Sequence, residues 1–165
     1  MTQAGSVPTN SADALIEQLR LEPHPEGGWF RETWRAGVQP GTDGARAAGT
    51  AIVFLLKAGE ASHWHRVDAE ELWIWQAGDP IELRLAEGDY AQPTSLRLGA
   101  DVAGGEAPQG VVPTGQWQAT RPLTPEAGAH GSSLVSCVVV PGFDFAGFEL
   151  APPDWEPGSG PPGGA

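Results

Sequence analysis

Gly59-Glu60-Ala61-Ser62-His63-Trp64-His65, followed by Glu70-Glu71 and then Gly78, is the densest polar stretch of the chain, and its reading decides the fold. In a strand, side chains two apart share a face, so His63 and His65 point the same way and a carboxylate from the next strand can meet them. A later stretch, Pro113-Thr114-Gly115-Gln116-Trp117-Gln118, sets Gln116 and Gln118 at the same two-residue spacing. Imidazoles, carboxylate and amides from separate strands meet only if the sheet rolls up around them.

The sequence on either side of these stretches supports a rolled sheet. Strand-like runs ended by turn residues cover Trp29 to Trp34, Thr50 to Lys57, Glu71 to Gln76, Ile81 to Ala86, Ser95 to Leu98, Gly110 to Val112, Gln116 to Thr120, Leu134 to Val140 and Phe145 to Leu150. Many short strands without helix-length interruptions point to an all-β barrel or double sheet, which leaves few exposed edges. One helix is expected, between Ser11 and Leu21, where Leu15, Ile16 and Leu19 recur at helical spacing and Asn10, Ser11 or Asp13 can cap the start. Pro23 and Pro25 end it. The domain spans residues 10–151, with residues 1–9 and a Pro/Gly-rich tail, 152–165, expected to stay mobile outside it, although Trp155 is available to dock.

Composition narrows the partners. At 165 residues the chain fits one domain with a self-sufficient core, and the 23 glycines and 16 prolines suit turns between strands. A formal charge of -12, from 9 basic and 21 acidic residues, repels a phosphate backbone, so nucleic acid is not an expected partner. The apolar run from Ala51 to Leu56 is cut off by Lys57, far short of a membrane span. With one cysteine, Cys137, and no secretory signal pattern, a reduced, cytoplasmic protein is expected.

The order His-x-His, glutamate, six residues, glycine, and later Pro-x-Gly resembles the two motifs of the cupin superfamily of double-stranded β-helix (jelly-roll) barrels. Glu71 keeps the spacing to Gly78, whereas Glu70 keeps the spacing from His65; Glu71 is preferred, with Glu70 in reserve. Gln118 stands where most metal-binding cupins place their last histidine. The block Pro23-His24-Pro25-Glu26-Gly27-Gly28-Trp29-Phe30-Arg31-Glu32-Thr33, with Phe54-Leu55-Leu56, Val112-Pro113 and Pro141-Gly142-Phe143, looks like one functionally uncharacterised single-domain subfamily, similar in barrel to deoxysugar-nucleotide epimerases. The likeness covers about residues 12–151. It implies an interior ligand pocket and a homodimer, but no particular reaction, because the fold hosts many.

Three functions are consistent with these residues. The first is acid–base chemistry, an epimerisation, isomerisation or dehydration of a small polar metabolite, with His65 as base, Glu71 orienting it or acting as acid, and Gln118 and Gln116 binding substrate. Trp73 would wall the pocket and Arg31 would meet an anionic group on the ligand. The second is a metal-dependent oxygenase or lyase holding iron, manganese or nickel on His63, His65, Glu71 and Gln118, with Gln118 the weakest donor. The third is a binding module without chemistry.

Overall fold

The computed structural model describes residues 11–38, 46–123 and 129–163; residues 1–9 lie outside the described residues. A single helix, α1 (Ala12–Leu19), is capped by Ser11, whose Oγ accepts from the Ala14 N–H at 3.2 Å. The strands are β1 (Glu22–Pro23), β2 (Trp29–Arg35), β3 (Thr50–Lys57), β4 (Ser62–Val67), β5 (Glu70–Gly78), β6 (Ile81–Ala86), β7 (Thr94–Leu98), β8 (Gln109–Val112), β9 (Trp117–Pro122), β10 (Ser132–Val140) and β11 (Phe148–Leu150). They form two antiparallel sheets, ordered β1-β2-β3-β10-β5-β8 and β11-β4-β9-β6-β7. The expected strand over Phe145 to Leu150 is halved, because Phe145–Gly147 coils into a 3-10 turn started by the Asp144 carboxylate, which accepts from the Ala146 N–H at 2.9 Å.

The inward stripes of the two sheets divide the interior. Phe54 and Leu56 of β3, Trp73 of β5, Val135 of β10, and Ile81, Leu83, Leu98 and Val112 pack into one apolar cluster. Toward the other end of the same strands, Thr50 and Ile52, Glu71, and Cys137 and Val139 line an open cavity instead. The switch from large apolar to small and polar inward residues within single strands puts a hollow beside a solid core.

Alternation fails at three places. Between β4 and β9 the register passes from Ser62 opposite Thr120 to His65 opposite Gln118, three residues against two. Between β2 and β3 it passes from Glu32 opposite Ile52 to Trp34 opposite Ala51. Between β10 and β5 it shifts at Leu134 and Val135, which oppose Ala77 and Trp75. Each bulge carries an extra residue and turns the following side chains to the other face.

The segment expected to be a mobile tail packs against the second sheet. Trp155 is buried with its ring 4.5 Å from that of Trp117, and its indole N–H donates to the Gly160 carbonyl at 2.7 Å. Gly158 and Gly160 N–H groups both donate to the Asp89 carbonyl. A patch of Trp64, Ala86, Trp117, Ala119 and Ala151 on the outer sheet face requires a cover, and the tail's one large ring supplies it. Among the described residues no helix is long and apolar enough to cross a membrane.

Candidate active site

The cavity has a volume of about 320 Å³ and opens between β2, β3, β4, β5 and β10, within the usual size range of small-molecule pockets. Its polar side chains come from three places: strand faces, the segment after β10 that carries Asp144, and the loop His24-Pro25-Glu26-Gly27-Gly28 joining β1 to β2. That loop is closed by the His24 N–H donating to the Gly28 carbonyl at 2.9 Å and the Gly27 N–H donating to the His24 carbonyl at 3.0 Å. Gly27 sits at φ 107° with its α-carbon against the Ala61 carbonyl, where a side chain would collide. Glycine is therefore required for the loop to press against β4 and deliver Glu26 inward.

His65 is 2 % exposed, and its Nδ1 lies 2.7 Å from the His63 carbonyl. A carbonyl only accepts, so Nδ1 carries the hydrogen and the Nε2 lone pair faces Glu26 Oε2, 3.1 Å away. Glu26 Oε1 accepts from the Ser62 hydroxyl at 3.0 Å. Burial pushes the Glu26 carboxyl up to about 8, against a lowering by the Ser62 hydrogen bond. Burial also lowers the His65 imidazole, against the pull of Glu71. Both shifts favour the neutral couple, with the Glu26 proton donated to His65 Nε2.

Glu71 is 7 % exposed and accepts from Gln118 Nε2 at 2.7 Å. Gln118 is wholly buried, and its Oε1 accepts from the Trp73 indole N–H at 2.8 Å. An indole only donates, so Trp73 fixes the amide with its NH2 toward Glu71. Burial raises the Glu71 carboxyl to about 7, opposed first by His65 and also by Gln118. His24 completes the set: its Nδ1 accepts from the Glu26 N–H at 3.3 Å, and burial lowers it to about 4, with His65 adding to the lowering.

Several expectations are revised by this geometry. His63 and His65 do not share a face: the β4 bulge brings Ser62 and His65 inward and sends His63 out, where its Nε2 donates to the Pro152 carbonyl at 2.8 Å. Glu70 is exposed while its neighbour Glu71 faces in. Gln118 stands behind Glu71 rather than on the cavity wall, and Trp73 stands behind Gln118 in the core. Gln116 lies in the turn before β9, outside the cavity. Arg31 is exposed on the outer face of β2; Phe30 and Glu32 line the cavity, and after the bulge Arg35 does so.

The four-residue metal set is not assembled. His63 is turned away, Gln118 has its oxygen taken by Trp73 and offers hydrogens to Glu71, and the free lone pair of His65 meets Glu26. Among the described residues no three of His, Cys, Asp and Glu come together as a metal ion would need. The described residues do not fit a metal centre.

Glu26 carries no role in the sequence reading, although Pro25-Glu26-Gly27-Gly28 holds a usable signal. Two successive glycines before a strand mark a backbone pressed against its neighbour, and a carboxylate at such a point has few ways to avoid burial.

The family model that describes Cupin_5, Cupin superfamily (DUF985), matches residues 13–151. The chain belongs to this cupin family. A hypothetical protein from Leishmania major is 36% identical with a TM-score of 0.76, covering 84% of this chain and 86% of its own. A structure from Shewanella oneidensis is 38% identical with a TM-score of 0.74, over 85% of this chain and 84% of that one. An uncharacterised protein of Saccharomyces cerevisiae is 32% identical over 157 residues, 84% of this chain and 74% of its own length. The two sheets are those of the cupin double-stranded β-helix.

Proposed function

We propose that this cupin is an enzyme that moves protons on a small polar metabolite held in its barrel cavity, in an epimerisation, isomerisation or dehydration. The observation that carries the reading is the Glu26–His65 couple, with 3.1 Å between Oε2 and Nε2, on the same cavity as Glu71. Efficient proton transfer asks for groups whose proton affinities lie near the working pH, and burial brings Glu26 and Glu71 to about 8 and about 7. One proton passes between Glu26 and His65, so the couple offers a bound molecule either an acid or a base; Glu71 is the complementary group. Gln118 and Trp73 act through Glu71 as positioning residues. The partner that orients His65 is thus Glu26, a role the sequence reading gave to Glu71.

The test is deuterium incorporation. A panel of hydroxy-, keto- and amino-substituted metabolites is incubated with the protein in D2O and followed by NMR and mass spectrometry. Exchange at a carbon beside a carbonyl is expected, falling about 10²-fold or more in His65→Ala, Glu26→Gln and Glu71→Gln. Exchange that persists unchanged in all three variants overturns the assignment.

A further inference from the structure

We infer that the cavity selects a small organic cation, an amine that also carries a hydroxyl or carbonyl oxygen, with its ammonium group against Glu71 and Glu26 and its oxygen at His24 Nε2. This names the substrate class of the proposed reaction site and rests on that reading.

Charge is the first argument. Four carboxyl groups line the cavity, Glu26, Glu32, Glu71 and Asp144, against one guanidinium, Arg35. Arg35 is already engaged: its Nε and one terminal nitrogen each donate to Glu32, both at 2.8 Å, and Asp144 adds a second negative field beside it. The two imidazoles are held neutral by burial. A carboxylate or phosphate entering this cavity finds no free cation and faces buried carboxyls, which is costly where the dielectric is low. An ammonium group at the inner end favours the ionised carboxyl, so Glu71 and Glu26 release their protons to solvent as it binds, and the resulting charge-assisted hydrogen bonds are about twice as strong as neutral ones.

The second argument is a ring nitrogen whose hydrogen has no acceptor among the described residues. The His24 side chain is 6% exposed, and its Nδ1 is occupied by the Glu26 N–H. Its Nε2 therefore carries the hydrogen and meets no acceptor among the described residues, on a side chain that lines the cavity. An N–H donor left open on a cavity-lining side chain suits an acceptor oxygen on the ligand. The remaining walls suit an apolar framework that bears a cation. Phe30, Phe143 and Phe145 line the mouth beside Ile52, Val67 and Val139, and the Phe143 and Phe145 rings meet edge to face at 4.9 Å. The net charge of -12 draws cations toward the protein at long range.

The probes are three molecules of one shape: trans-4-aminocyclohexanol, trans-1,4-cyclohexanediol and trans-4-hydroxycyclohexanecarboxylate. Binding is read by saturation-transfer NMR and by the rise in Tm. The amine is expected to bind roughly tenfold or more tightly than the diol, with the carboxylate weakest. Glu71→Gln and Glu26→Gln should each erase the preference, while Glu87→Gln, on the exposed surface, should keep it. Folding of the variants is checked by their Tm without ligand. Equal binding of the three probes, preference for the carboxylate, or a preference surviving both cavity substitutions overturns the inference. Amine-selective binding without deuterium exchange in any compound removes the enzyme reading and leaves this one standing. Turnover of a carboxylate substrate does the reverse.

Discussion

Replacing Glu26 by glutamine should change how stability depends on pH more than stability itself. Glu26 is pushed up to about 8 and Glu71 to about 7 from ordinary values of 4.5, while His24 falls from 6.5 to about 4 and His65 also falls. Between the carboxylate range and pH 6.5 these shifts oppose each other: the folded carboxyls hold protons that the unfolded chain has lost, and the folded imidazoles lack protons that the unfolded chain has gained. From pH 6.5 to 8 the two unfolded imidazoles give up the remaining half of their protons, which offsets about 1 kcal/mol of the loss at the carboxyls, and above that range the carboxyls act alone. The folded protein then binds more protons than the unfolded one, so stability falls as pH rises. At 1.36 kcal/mol per pH unit per proton, the step from pH 6.5 to 8 costs about 2 kcal/mol at Glu26 and about 1 kcal/mol at Glu71. The glutamine keeps an oxygen for Ser62 and an N–H for His65 Nε2 but does not titrate, so the net loss should shrink to near zero, the loss at Glu71 and the gain from the unfolded imidazoles being of similar size. Urea unfolding at pH 6.5, 7.25 and 8 under constant ionic strength reads the slope. Parallel slopes for the two proteins refute the reasoning. A wild-type stability that rises over this range refutes it more strongly, because it means the folded cavity binds fewer protons than the unfolded chain and its carboxyls are already ionised at pH 6.5.

Two further outcomes follow from the packing. Trp155→Ala empties the site against Trp117 and leaves the Gly160 carbonyl without its donor, so a loss of about 3 kcal/mol is expected in chemical denaturation; an unchanged midpoint would mean the tail does not dock in solution. Trp73→Phe keeps a ring in the core but strips the donor from the Gln118 oxygen, for a cost of about 1–3 kcal/mol. The same change frees the amide to turn, so the pH profile of deuterium exchange should shift with Glu71, whereas a purely structural Trp73 would leave the profile in place.

The sequence by itself determined the architecture and narrowed the inward carboxylate to Glu71 or Glu70, with Glu71 preferred; the structure turned Glu71 in and left Glu70 exposed. Strand length and face follow from local alternation and turn residues, which is why Thr50–Lys57 and Ile81–Ala86 run as their sequences indicate. Tertiary structure decided which side chains reach the cavity, because that depends on extra residues whose cost is set by neighbouring strands. The bulge after Ser62 separates His63 from His65, and the one after Glu32 brings Arg35 inward and turns Trp34 to solvent. Neither leaves a mark in a two-residue pattern, since a bulge resets the phase of a strand without changing its composition. Glu26 was hidden for a related reason: its role arises from a loop pressed onto β4, and the shift of its proton affinity comes from burial by residues far away in the chain.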